Sequence, residues 1–273
     1  MCRWMAYSGA SIPLELLLVK AKHNLIDQSL SARSSMTPTN GDGFGVGWYG
    51  TRETPGTYHS IRPAWNDFNL RDLAAHIESP LFMAHVRATS GATVQETNCH
   101  PFRYGRWLFV HNGEIDRIAE LRRDLLMAVE PKLFPHILGS TDSELMFFLA
   151  LGFGLESDAI GALARMVGLV EETGRRHGVD QSMWMTVCAS DGSSLWAVRY
   201  ASDGKAPTLY YSRHLDDIAH FHPEVVDQLG PTARLIVSEP IGAVSEVWAT
   251  VPQSTAVVVS GSEIDLRPFT PAG

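Results

Sequence analysis

Apolar residues along this chain change period as the chain proceeds. Arg3 to Ser8 reads as a short strand, and the leucine-rich stretch from Pro13 to about Ala21 reads as an apolar helix. An aromatic run punctuated by glycine, Gly43 to Tyr49, predicts a strand. Asn69 to Ile77 predicts a helix, capped by Asp67 or Asn69, that leads into the strand Leu81 to Ala88. Trp107 to His111 predicts another strand. Asp116 to Val129 predicts an amphipathic helix with Ile118, Leu121, Leu125 and Leu126 on one face, and further helices fall near Ser143 to Phe153 and Asp158 to Arg176. From Ser182 onward the pattern turns mainly to short β-branched or aromatic runs between Gly, Asp and Pro turns: Met183 to Ala189, Leu195 to Tyr200, Leu209 to Ser212, Leu235 to Val237 and Ala256 to Val259. Strands, then helices, then strands, with no dividing linker, predict one α+β domain over residues 1–273.

Composition narrows the function classes. The 273 residues carry 22 basic and 30 acidic side chains, a net charge of -8, which disfavours a nucleic-acid partner because an acidic surface repels phosphate backbones. The longest uncharged apolar run, Leu145 to Leu155, is too short to cross a hydrocarbon layer of about 30 Å, and Glu15 interrupts the leucine-rich stretch near the N-terminus. Cys2, Cys99 and Cys188 stand far apart, which excludes a disulfide scaffold and any CxxC site and suits a reducing compartment. The expectation is a cytoplasmic enzyme-sized domain with no membrane or nucleic-acid partner.

Several segments carry candidate chemistry, each beside an ordinary reading. Cys2 is a small terminal thiol; once Met1 is removed it also owns an α-amine with a reference pKa of about 7.7–8.0, able to take the thiol proton. Gly45, Gly47 and Gly50 fit G-x-G-x-x-G, but Pro55 and Gly56 follow where a phosphate-binding helix would have to begin, so a dinucleotide site is rejected. Gly41, Gly43, Gly45 and Gly47 instead recur at period two, as if to clear one strand face for close approach. Arg87, in HVRATSG at a strand end, either solvates the chain as it leaves the core or grips a carboxylate. Asn112-Gly113, following His111, reads as a hairpin turn or as an oxyanion hole built from an amide and a backbone N–H. Thr141 and Glu144 match a capping box, and Asp142 between them suits a helix dipole or a substrate ammonium. His85, His100 and His111 lack metal-ligand spacing, and His214, His220 and His222 lie in a polar stretch that reads as surface, so no metal is expected. G-x-S-x-G is absent, and Cys188 in its apolar strand reads as an inert buried thiol.

The order of these segments is more specific than any one of them. Cys2 after the initiator Met, then NGDGFGVGWY, HVRATSG, NCHPF, HNGE and STDSE together resemble the class II glutamine amidotransferases, which are N-terminal-nucleophile hydrolases. The motifs lie within residues 2–151, and the β-rich remainder, 182–270, fits the same fold without a motif of its own. The resemblance implies a four-layer αββα sandwich and a γ-glutamyl thioester on Cys2. It implies an oxyanion hole from Asn112 and Gly113, Arg87 on the substrate α-carboxylate and Asp142 on its α-ammonium, with His111 beside them. Only Ala88 separates Arg87 from Thr89, so Thr89 and Ser90 both stand as substrate contacts. IDQS at 26–29, PAWN at 63–66 and ETNCHP at 96–101 look like a stand-alone subgroup that includes the amidotransferase subunit of glutathione degradation. The ergothioneine-pathway γ-glutamyl hydrolase is a more distant likeness. No cofactor is implied. The expected substrate is glutamine or a small γ-glutamyl compound, cleaved by the chain alone or beside a separate synthetase or peptidase subunit. The alternatives are a γ-glutamyl peptide or glutathione hydrolase, and a non-catalytic module that keeps the fold and binds a partner.

Overall fold

In chain order the computed structural model runs β1 (Arg3–Pro13), α1 (Leu25–Leu30), β2 (Phe44–Trp48), β3 (Gly56–Ser60), α2 (Phe68–His76), β4 (Glu78–Val86), β5 (Phe102–Tyr104) and β6 (Trp107–Ile115). There follow α3 (Ile118–Met127), α4 (Asp142–Gly152), α5 (Ala159–Arg176), β7 (Met183–Ser190), β8 (Ser194–Ala201), β9 (Tyr210–Ser212), β10 (Arg234–Val237), β11 (Trp248–Thr250), β12 (Thr255–Ser260) and β13 (Glu263–Pro268). The structure describes residues 2–33, 39–89, 91–214, 227–242 and 245–272; Met1, Ser90, His220 and His222 lie outside the described residues.

Alternation along the strands produces the layers. Successive residues of a strand face opposite sides, and here both sides are apolar. Met5 and Tyr7 of β1, with Phe82, Ala84 and Val86 of β4, pack against α1, α2 and the turn around Leu17 and Leu18. The intervening Trp4, Ala6, Leu81 and Met83 meet Leu108 and Val110 of β6 and Cys188 of β7 from the facing sheet. On the outer side of that second sheet, Phe109, Met183, Met185 and Val187 pack on Leu121, Phe147, Leu163 and Val167 of α3, α4 and α5. Three apolar interfaces therefore join helices, sheet, sheet and helices, which is the αββα sandwich expected from the sequence.

The first sheet has the order β11-β9-β10-β1-β4-β2-β3 and the second β13-β12-β8-β7-β6-β5, with antiparallel pairing throughout the registers described. β1 and β4 are central neighbours, with Arg3 opposite Val86. Cys2 and Arg87 therefore leave the same end of the first sheet.

The predicted helix over Pro13 to Ala21 is replaced by a longer β1, which continues past a bulge to Pro13, and a short π-helical turn at Leu16–Lys20. The Leu14 N–H bonds the Ile77 carbonyl at 3.0 Å, tying the segment to the end of α2 rather than leaving it free to wind. Of the glycines at period two, only Gly45 and Gly47 lie within a strand. A side chain at Gly45 would collide with the His100 carbonyl and the His59 ring, so the close approach is real there. No helix among the described residues is long and apolar enough to cross a membrane.

Candidate active site

Cys2 precedes β1 and continues the alternation of Trp4 and Ala6, so its thiol turns to the space between the sheets. Its Sγ donates to the Ala88 carbonyl and accepts the Ala88 N–H, each at 3.5 Å. Burial pushes the thiol up from its ordinary value, against the Ala88 N–H and the positive charge of Arg87, while Asp142 adds to the rise. A buried lattice of contacts fixes the residue from below. The Arg3 guanidinium donates to the Cys2 carbonyl at 2.9 Å and to Glu239 Oε2 at 3.1 Å. Glu239 Oε1 meets His23 Nε2 at 2.6 Å and the Arg33 N–H at 2.9 Å. Trp4 adds two anchors, its N–H on Ser238 Oγ at 3.1 Å and its indole on Thr186 Oγ1 at 3.1 Å.

Arg87 lies just beyond β4 and is 3% exposed. Among the described residues its guanidinium donates only to neutral oxygens, Thr89 Oγ1 at 3.3 Å and the Asp42 carbonyl at 3.5 Å, and makes no ion pair. Thr89 is held in turn: its N–H meets Asp42 Oδ2 at 2.8 Å and its hydroxyl the Ala92 carbonyl at 2.8 Å.

Asn112 and Gly113 do not form a turn. They lie inside β6, opposite Thr186 and Met185 of β7, so the hairpin reading of the dipeptide is overturned by strand pairing. Gly113 has φ 145°, and a Cβ there would run into the Trp184 carbonyl. That backbone is open to glycine and costly for other residues. Asn112 is buried, and its Oδ1 has no partner among the described residues. It shares the alternation of Leu108 and Val110 and faces the first sheet, whereas His111 faces the helices.

α4 supplies the remaining groups. Thr141 caps it by accepting the Glu144 N–H at 3.1 Å. The Glu144 carboxylate does not return the bond but takes the N–H groups of Leu138 and Gly139, at 2.9 and 2.7 Å, so only half of the expected capping box forms. Asp142 Oδ2 accepts the Ile115 N–H at 2.9 Å, and its Oδ1 accepts the Ser143 N–H at 2.7 Å and hydroxyl at 3.1 Å. The Ser143 hydroxyl also pairs with His111 Nδ1 at 2.8 Å, linking His111 to the carboxylate.

Cys2, Arg87, Thr89, Gly113 and Asp142 line one cavity of about 510 Å³. Asn112 and His111, buried in the same strand as Gly113, are not among the residues that line it. Ser90 falls outside the described residues. Cys99 is buried against the Ser60 carbonyl with its thiol raised to about 11 by burial, and Cys188 is sealed in β7 with its thiol pushed up by burial. Neither cysteine lines that cavity, so Cys2 alone of the three presents its thiol there. Sequence reasoning missed Arg3, Glu239, Trp184 and Lys205. The Arg3–Glu239 pair spans nearly the whole chain, and no local spacing ties Trp184 or Lys205 to Cys2; only the Asp42 of NGDG lay within a segment already singled out.

The model of the class II glutamine amidotransferases matches residues 19–221. The chain is 29% identical to a probable glutamine amidotransferase of Saccharomyces cerevisiae, DUG3, over 98% of this chain and 84% of that protein. It is also 29% identical to the gamma-glutamyl-hercynylcysteine sulfoxide hydrolase of Mycolicibacterium smegmatis, over 73% of this chain and 79% of that one. Among solved structures, a glutamine aminotransferase class-II domain protein from Silicibacter pomeroyi superposes with a TM-score of 0.74 at 33% identity, covering 99% of this chain and 100% of that one. The glutamine PRPP amidotransferase of B. subtilis shares the fold, with a TM-score of 0.66 at 12% identity over 99% of this chain and 50% of that one. With this match and this site, the chain belongs to the class II glutamine amidotransferases, enzymes acting on C–N bonds other than peptide bonds.

Proposed function

We propose that the protein hydrolyses the γ-glutamyl amide of glutamine or a related γ-glutamyl compound through a thioester on Cys2. The observation that carries this reading is Arg87: a guanidinium 3% exposed, without an ion-pair partner among the described residues, on the wall of the cavity that also holds Cys2 and Asp142. An unpaired buried charge is costly, and a substrate carboxylate removes that cost. Asp142 supplies the opposite charge for an α-ammonium, so the cavity suits a zwitterionic amino-acid head.

With Met1 removed, the neutral α-amine of Cys2 takes the thiol proton and the thiolate sulfur bonds the substrate δ-carbon. The carbonyl electron pair moves onto oxygen, for which the Asn112 amide and the Gly113 N–H are the proposed donors. The electron pair returns, the C–N bond breaks, and the leaving nitrogen takes the proton from the α-ammonium. Water then attacks the thioester, gives a proton to the amine, and releases glutamate with the thiol restored. The raised thiol requires this local base, because little thiolate exists beforehand.

Cys2→Ala should abolish glutamate release while leaving the melting temperature nearly unchanged. Substantial residual turnover in that variant excludes Cys2 as the nucleophile. Arg87→Ala should raise KM about tenfold to a hundredfold, the worth of a charge-assisted hydrogen bond, with a smaller effect on kcat. Unchanged KM removes the carboxylate clamp. Intact mass of the native protein reports whether Met1 is absent, as the free amine requires.

A further inference from the structure

We propose that a second cavity beyond Cys2 is a subsite for the leaving amine, fitted to an amine that carries an anionic group and an apolar or flat body, such as the amino acid released from a γ-glutamyl dipeptide. This rests on the γ-glutamyl hydrolysis reading above and names the substrate class for that same site.

Two cavities meet at the nucleophile. Cys2, Ala88, Thr89, Gly113 and Glu114 line both. Arg87 and Asp142, the charges matched to a glutamyl head, line only the first. Trp184, Lys205 and Pro207 line only the second, a space of about 480 Å³. For a substrate whose head lies between Arg87 and Asp142, with its δ-carbon at Cys2, the second space opens on the side of Cys2 that carries neither of those charges. Ammonia needs a volume like that of one water, roughly 30 Å³. The second cavity exceeds that by more than tenfold and falls in the range of sites for organic ligands, ~300–1,000 Å³.

The lining has a definite chemistry. Trp184 lies in β7 opposite Glu114 of β6, and its half-buried indole donates to Asp203 Oδ1 at 2.9 Å. The same oxygen accepts the Lys205 N–H at 2.8 Å, so one carboxylate holds both the ring and the turn that carries the lysine. The wall is thereby preset rather than assembled on binding, which lowers the ordering cost of association. Trp184 and Pro207 offer apolar faces, and the exposed Lys205 makes no ion pair among the described residues. The acidic members, Asp42 and Glu114, come from segments adjoining Cys2, and Asp42 Oδ2 is already bonded to the Thr89 N–H. An anionic leaving group is thus turned from the acidic side toward Lys205. Ammonia has no anionic group for that lysine to meet.

The test compares γ-glutamylalanine, whose leaving amine bears a carboxylate, with γ-glutamylethylamine, whose leaving amine does not. In Lys205→Ala the ratio of their kcat/KM values should shift about fivefold against the dipeptide, the scale of one exposed ion pair. Lys205→Glu should shift it further, and Lys205→Arg should restore most of it. The same two compounds are titrated calorimetrically into the Cys2→Ala protein with and without Lys205→Ala, which reads the subsite without turnover. An affinity ratio that follows Lys205 while neither compound is cleaved supports the subsite and defeats the hydrolysis reading. Turnover whose ratio ignores Lys205 defeats the subsite and leaves hydrolysis standing. Neither binding nor turnover of either compound overturns both.

Discussion

Acid should weaken this fold well above the pH at which ordinary carboxylates protonate, because of two stacked imidazoles. His85 and His100 have ring centroids 4.1 Å apart with planes at 26°, and the residues are 0% and 3% exposed. The His85 Nε2 pairs with the His111 carbonyl at 3.1 Å, while its Nδ1 and both His100 ring nitrogens have no partner among the described residues. Burial pushes His85 down to about 3, the His111 carbonyl opposing and the charges of Arg87, His111 and His59 assisting. His100 is pushed well below its ordinary value for the same reasons. In the unfolded chain both titrate near 6.5. The unfolded state therefore binds protons first, so the stability is present above that pH and is lost as pH falls through it toward the folded value. Between pH 7 and pH 5 each imidazole that stays neutral in the fold costs about 2 kcal/mol, and the pair about 4 kcal/mol. Most carboxylates titrate near 4 and contribute little in this window. Glu144, whose carboxyl burial pushes up, gains a proton in the fold and works in the opposite sense. For a chain of this size the melting temperature should drop by roughly 10 °C over the interval. Urea unfolding at pH 7, 6 and 5 measures the slope. Burial pushes His59 and His111 down as well, and they add to the slope, so His100→Gln should remove the share of one imidazole, about 2 kcal/mol over the interval, whatever it does to stability at pH 7. A slope near zero in the parent, or an unchanged slope in both His85→Gln and His100→Gln, refutes the reasoning.

Two other substitutions probe the groups around Cys2. Glu239→Ala leaves the Arg3 guanidinium, 1% exposed, without its carboxylate. Breaking a buried pair in this way should cost about 3–5 kcal/mol in urea unfolding, and kcat should fall because Arg3 also holds the Cys2 carbonyl. A loss under about 1 kcal/mol would place the pair among weak surface bridges. Gly113→Ala should cost about 1–3 kcal/mol for its backbone conformation alone, with more from the collision with Trp184, and turnover should drop about a hundredfold or further. Parent-like kinetics in a stable Gly113→Ala protein would separate this position from the chemistry.

The sequence disclosed the parts of the fold whose signals are local. Alternating or helical apolar runs located β4, β6, β7 and α3 to α5 to within a few residues, because each buries one or both faces against a neighbour. It missed α1, β3, β5, β11 and β13, which are short, and the polar exposed β13 pairs only with β12. The Asn24 cap that accepts the Asp27 N–H at 3.0 Å was the one local sign of α1. At the site, ordered motifs named the residues near Cys2, while the Asn112-Gly113 dipeptide taken alone favoured a turn that strand pairing replaces. An Asn-Gly pair favours a turn when nothing else acts on it, and in this chain the pairing of β6 with β7 along its whole length outweighs that preference.

That outcome also explains why the β-rich remainder belongs to the active site although it carries no motif. β10 pairs with β1, and the residues immediately after it, Ser238 and Glu239, reach back to Trp4 and Arg3. β7 lies against Asn112 and Gly113 on one side and presents Thr186 to the Trp4 indole on the other, so the same strand touches both the nucleophile's support and the candidate oxyanion donors. Trp184 of that strand lines the second cavity. Each contact spans a long stretch of chain and uses common residue types, which is why no spacing rule finds it. Residues at the N-terminal edge of a fold fray unless tied down. In this protein the C-terminal strands do the tying, and on the proposed mechanism they deliver the positional precision that a thiol and its own amine need in order to act together.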